Sequence, residues 1–231
     1  SSGTVTRNTV LTIAEAPASI GADAARLSIR GGGILDLNAD LVLGNAGGSG
    51  RVTVGTAGGA ATPLLDVDGN VQFGSSSGDF GGELAVDEGT ASISGNILKG
   101  DASVGDAVVS ISGGTLVFDT SISVDDFILG NKEDQAGAFT LAAGQTLNAA
   151  RNLIAGRVGE GDFINDGGTV TVGAGMQIGV ADDVGFPGSA DNSSYRQNSG
   201  ETVIVNGGVD LGADPANGAA GAGLEVAGGR F

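Results

Sequence analysis

Carboxylates are the only chemically versatile side chains that this 231-residue chain holds in number. It has 27 Asp and Glu against 10 Lys and Arg, with no His and no Cys. That excludes Ser-His-Asp triads, Cys-His dyads and zinc sites built on His or Cys. What remains is a carboxylate pair of the glycosidase kind or a set of oxygen ligands for a hard cation such as Ca2+. Asp36/Asp40, Asp125/Asp126 and Asp182/Asp183 are the acid pairs close in sequence. In so acidic a chain, neighbouring acids ordinarily sit in solvated loops. No catalytic residue is therefore assigned, and an enzyme is not expected; a carbohydrate-active enzyme is the last-ranked reading.

The run Asp66-Val-Asp-Gly-Asn70 opens like a calcium loop, with oxygen donors on Asp66, Asp68 and Asn70 at alternate positions. The later Gly and Glu of an EF-hand are missing, and a plain Asp-Gly β-turn competes with this reading. Asp182 and Asp183, with Asp191 and Asn192, form a second candidate oxygen cluster. Calcium is the only cofactor these residues suggest. Asn192-Ser-Ser194 fits a glycosylation sequon, against which a simple polar loop is favoured.

The formal charge is −17 and the sequence pI about 4.1. Phosphate binding needs a basic footprint, so a nucleic-acid partner is not expected. An anionic membrane surface would repel the chain, and no apolar run approaches the roughly 20 residues of a spanning helix. The sequence starts at Ser1 without Met or a secretion signal, which reads as a processed or trimmed product.

The elements that must position these residues are short strands. Gly numbers 45, Trp is absent, and the apolar material is Val, Leu, Ile, Ala and eight Phe. A short apolar strand closed by Gly recurs as Leu41-Val-Leu-Gly44, Val71-Gln-Phe-Gly74, Ile97-Leu-Lys-Gly100 and Phe127-Ile-Leu-Gly130. It continues as Leu153-Ile-Ala-Gly156, Met176-Gln-Ile-Gly179 and Val209-Asp-Leu-Gly212. Each has an alternating segment before it, as in Ile34 to Leu37 or Thr169 to Val172. Each has another after it, across a Gly/Asp/Asn-rich insert, as in Arg51 to Val54 or Glu83 to Val86. Alternation over such short runs predicts strands. A three-strand unit of this size cannot bury its own apolar face and must stack on its neighbours.

The expected fold is thus all-β, a parallel β-helix (β-solenoid) of about 7–8 coils. It would form a rod of roughly 35–40 Å at the usual strand separation. Residues 1–30 are expected to be an N-terminal strand or cap segment, and 31–231 the repeat domain. An antiparallel β-sandwich is the alternative; the fixed closing Gly and the recurring three-strand unit favour the solenoid. The inserts 45–50, 75–82, 101–106, 131–137, 180–194 and 213–222 are expected along one edge.

The unit Tyr195-Arg-Gln-Asn-Ser-Gly-Glu-Thr-Val-Ile-Val-Asn-Gly-Gly-Val-Asp-Leu-Gly212 resembles repeats of large bacterial surface proteins of the PEP-CTERM and autotransporter-like type. Phe163-Ile-Asn-Asp-Gly-Gly-Thr-Val-Thr-Val-Gly-Ala-Gly-Met-Gln-Ile-Gly179 looks the same. The likeness covers most of 31–231, with eroded central repeats and no visible sorting tail. It implies a right-handed parallel β-helix, exported to the bacterial cell surface or extracellular matrix. It implies no single activity.

A solenoid has two ends with unpaired strand edges. Thr4, Val5, Val10, Leu11 and Ile13 make a β-rich run before the first repeat, and Leu224, Val226 and Phe231 fall where another closing strand is due. These eight are the candidate assembly residues. The expected function is a structural subunit of an extracellular filament, surface layer or matrix, self-associating head to tail. The alternative is an adhesin presenting its inserts to an extracellular glycan.

Overall fold

The structure is a computed structural model that describes residues 3–13, 25–45, 48–55, 62–74, 81–100, 105–132, 135–179, 192–212 and 222–231. Most residues of the inserts 75–82, 180–194 and 213–222 lie outside these. The described chain is all-β, 21 strands with no helix, wound as a parallel β-solenoid of about seven turns. It divides into two compact units, Ser1–Val109 with Gly114–Val124, and Ser110–Gly113 with Asp125–Phe231.

In the first unit three ladders stack. One is a five-stranded parallel sheet of β1 (Thr4–Arg7), β4 (Ile34–Leu37), β7 (Leu64–Val67), β10 (Thr90–Ile93) and β13 (Thr115–Phe118). A second runs from β2 (Leu11–Ile13) through β5 (Leu41–Leu43), β8 (Val71–Phe73) and β11 (Ile97–Lys99) to the start of β14 (Ser121–Leu129). The third holds β3 (Ala25–Ile29), β6 (Gly50–Val54), β9 (Gly82–Val86) and β12 (Ala107–Ile111). Every partner is the equivalent residue of the neighbouring turn: Leu37 pairs Val67 and Leu43 pairs Phe73. Alternation therefore sends the same positions inward on every turn. Leu37, Leu41, Leu43, Leu65, Val71 and Phe73 are wholly buried. Each such side chain removes about 1.5–3 kcal/mol of apolar surface from water.

The turn between the first two ladders carries a polar stack of its own. The Asn70 backbone N–H donates to Asp40 Oδ1 at 2.7 Å, that of Asn96 to Asn70 Oδ1 at 2.9 Å, and that of Ser121 to Asn96 Oδ1 at 3.1 Å. One short acceptor side chain per turn thus satisfies a backbone donor of the next.

The second unit is built on the same plan. Its closing strands are the end of β14, the end of β16 (Thr146–Ala155), β18 (Gly175–Ile178) and β20 (Val209–Leu211). Gly130 N–H donates to Ile111 O, Gly156 to Leu129, Gly179 to Ala155 and Gly212 to Ile178, at 2.8–2.9 Å. β15 (Gly137–Ala142), β17 (Gly161–Val172), β19 (Ser194–Ile204) and β21 (Gly223–Val226) form the ladder after the inserts. The start of β16 and the ends of β17 and β19 complete each turn.

Six of the seven closing glycines, at 44, 74, 130, 156, 179 and 212, have φ between 58° and 87°. That left-handed backbone is open to Gly at little steric cost. It explains why the closing Gly is the most regular mark in the sequence. One expectation is corrected. Phe127 was read as the next closing strand after Ile97, but Ile97 and Leu98 register with Ile122 and Ser123. Phe127–Leu129 instead follows Ile111 in the second unit. β14 runs nine residues without a turn, so two successive strand positions are fused in one alternating run.

Candidate functional site

The acid pairs come first, since they carry the only conceivable catalysis. The Asp126 carboxylate takes Arg151 Nη2 at 2.5 Å and Asn152 Nδ2 at 2.9 Å, while Asp125 is buried. Asp40 is engaged by Asn70, and Asp36 accepts the Thr6 hydroxyl at 3.2 Å. These carboxylates act as hydrogen-bond acceptors between turns, the role expected of polar groups that sheet stacking partly desolvates. Asp182 and Asp183 lie outside the described residues.

The calcium candidates do not converge. Asp66 is on β7, and Asp68 and Asn70 are in the turn after it. The Asn70 carboxamide donates to Asp40 and accepts from Asn96, and Asp68 Oδ1 accepts the Ser94 hydroxyl at 3.5 Å. Among the described residues no group of three or more Asp or Glu is placed to hold a metal ion. The structure uses Asp66-Val-Asp-Gly-Asn70 as a stacking turn.

The end turns differ from all the others. β1, β2 and β3 pair with β4, β5 and β6 on one side and have no strand partner on the other among the described residues. The candidates Thr4 and Val5 lie on β1, Val10 precedes β2, and Leu11 and Ile13 are on it. Val5, Leu11 and Ile13, joined by Leu27, Ile29 and Leu35, line an open apolar hollow of about 480 Å³, with Arg7 and Arg30 also on its wall. Residues 1–30 are therefore the first turn of the solenoid where they are described. Leu27, Ile29 and the two arginines were not among the candidates. The alternation in Ala25–Ile29 is the signal that marks them.

At the other end Leu224 and Val226 lie on β21, in register with Tyr195 and Gln197. Phe231 meets the Tyr195 ring edge-on at 5.8 Å and is still 46% exposed. It crowns a column of rings, Phe127, Phe139, Phe163 and Tyr195, with successive centroids 4.8–5.5 Å apart. Beside the column lies a buried polar knot. Thr202 Oγ1 donates to Gln197 Oε1 at 2.7 Å and meets the Tyr195 hydroxyl at 2.5 Å, while Gln197 Nε2 donates to Arg230 O at 2.6 Å. Burial pushes the Tyr195 hydroxyl pKa up from its ordinary 10.0, against hydrogen bonds with Thr202 and Asn165 that pull it down. Of the eight large apolar side chains that stand exposed among the described residues, seven belong to the end turns: Val5, Val10, Val203, Val205, Leu211, Val226 and Phe231.

These features define the class, an all-β parallel β-solenoid. No family model, curated protein or solved structure matches the chain. The fold therefore stands on the chain's own geometry.

Proposed function

We propose that this chain is a structural subunit of an extracellular assembly, a filament, surface layer or matrix, extended head to tail by strand stacking on its end turns. The observation that carries this reading is the concentration of exposed large apolar side chains on those turns, seven of eight among the described residues, together with the hollow at the first one. A soluble protein rarely leaves such contiguous apolar surface uncovered, and interaction sites are where it does. Free parallel edges also invite further strands. The repeat-type likeness of Tyr195–Gly212 and Phe163–Gly179 to bacterial extracellular β-helix proteins supports an extracellular, cell-surface setting. The engagement of the described acid pairs supports a structural role over an enzymatic one. The test is negative-stain electron microscopy and sedimentation velocity on the purified chain over a concentration series. Fibres or sheets that lengthen with concentration are expected. A monomer dispersed at all concentrations overturns the reading.

A further inference from the structure

We propose that Asn206 is a site of spontaneous covalent modification, where the chain deamidates through its own backbone. Asn206-Gly207 is the one Asn-Gly pair among the described residues. It lies in the connection between β19 and β20, and both residues are exposed. Among the described residues, neither the Asn206 carboxamide nor the Gly207 N–H makes a hydrogen bond. The exposure belongs to the position in the coil. Ala174, one turn earlier and with the turn of Asn206 stacked on it, is exposed as well. Other asparagines are held: the side chains of Asn38, Asn70, Asn96, Asn152 and Asn165 are hydrogen-bonded, and none of the five precedes Gly. Packing dictates the glycine, since a Cβ at Gly207 would overlap the Ala174 carbonyl oxygen. The close stacking of turns therefore maintains the labile pair.

The chemistry needs only water. Hydroxide takes the Gly207 N–H proton, and the amide nitrogen attacks Asn206 Cγ. The new N–Cγ bond closes a five-membered succinimide, the Cγ–Nδ2 bond breaks, and Nδ2 takes up protons from water and leaves as ammonia. Water then opens the ring. Breaking the bond from nitrogen to Cγ gives aspartate, and breaking the bond to the main-chain carbonyl carbon gives isoaspartate. One water is consumed in all, one ammonia is released, and nothing is oxidised or reduced. Isoaspartate routes the main chain through Cγ and lengthens it by one carbon. That extra carbon falls between two contacts that fix this connection to the turn beneath, Asn206 N–H to Gly173 O at 3.1 Å and Met176 N–H to Gly208 O at 3.0 Å. β20 follows at once and is only three residues long. Modification at Asn206 therefore loosens β20 from β18, whichever way the chain associates.

The experiment ages the whole folded chain in mildly alkaline, amine-free buffer at physiological temperature. Peptide mass spectrometry with fragmentation then follows conversion at each asparagine and tells Asn206 from Asn217. Asn198 is the internal reference, because it is exposed on β19 but precedes Ser199. Conversion is expected to be about tenfold faster at Asn206 than at Asn198. Equal rates at the two positions overturn the site. Isoaspartate, detected by its distinct fragmentation, is expected among the products. Amide exchange at Val209–Leu211 is expected to quicken in the aged chain and to stay at the wild-type rate in N206D, which adds the charge without lengthening the main chain. Exchange that quickens equally in N206D, or in neither, overturns the loosening of β20 by the lengthened backbone.

Discussion

Phe163 and Tyr195 stack face to face, one turn apart, with ring centroids at 5.1 Å and planes 9° apart. Their backbones are register partners in β17 and β19, so the ring contact follows directly from the strand register. Phe163 also meets Phe127 and Phe139 and is wholly buried. Removing its ring leaves a cavity that the rigid ladder cannot collapse. F163A is expected to lose about 3–5 kcal/mol of stability in denaturant unfolding. V117A, at an exposed outward position, is expected to stay within about 0.5 kcal/mol.

The raised hydroxyl pKa of Tyr195 has a definite sign. The unfolded chain ionises near pH 10.0 while the folded chain still holds the proton. The stability tied to this group is thus full below pH 10 and is lost as pH rises toward the folded pKa. The melting temperature should begin an additional fall above pH 10, and Y195F should lack that fall. Tyr195 is the only tyrosine, so tyrosinate absorbance reports its titration directly.

Two glycines with left-handed backbone should respond differently to a methyl group. At Gly144, φ is 83° and nothing stands within 4 Å of a new Cβ. G144A should cost about 1–2 kcal/mol of backbone strain alone. At Gly130, φ is 64° and the Cβ would lie 2.2 Å from the Glu160 carbonyl oxygen. G130A should cost about 2–5 kcal/mol, because strain and overpacking add. Thermal or urea unfolding of the two variants side by side gives the comparison.

Asn96 holds two turns together. Its Oδ1 accepts the Ser121 N–H and the Ser121 hydroxyl at 3.1 and 2.8 Å. N96A leaves a part-buried backbone donor without that partner and should cost about 1–3 kcal/mol. N96D keeps the acceptor and should cost less. Amide exchange at Ser121 should quicken in N96A.

The hydrogen bond of Asp68 with Ser94 gives it a role between turns that needs no metal. Whatever shift calcium produces in the melting temperature should be the same in the wild type and in D68A. A shift that vanishes in D68A would restore the calcium loop.

Much of this architecture is written in local pattern. The closing glycines mark a backbone that other residues adopt only with strain, and period-two alternation marks each buried face. Both signals survive in eroded repeats because alternation is enforced on every turn and the left-handed Gly at six of the seven closing positions. The continuation of the ladder at Ile122 was hidden because β14 has no Gly or Asn turn to break its alternation, so Phe127 looked like the next closing strand. At Asp66–Asn70 the sequence pattern fits both a chelating loop and the polar stack of Asp40, Asn70 and Asn96. Oxygen donors at alternate positions describe either, and only the neighbouring turns decide between them. The end residues Val5, Leu11 and Ile13 were legible as an apolar β run. Arg7 and Arg30 were not, since their meaning depends on the hollow they share.

Turns that register with equivalent residues above and below impose little on chain length. A second copy of residues 44–73, inserted in tandem within the first unit, would meet the same kinds of neighbours that the original meets. The ladder would grow by one step without new packing having to be found. Gene duplication and deletion in units of one turn are therefore nearly neutral to the fold, and the length of such a protein is free to drift while its cross-section is held.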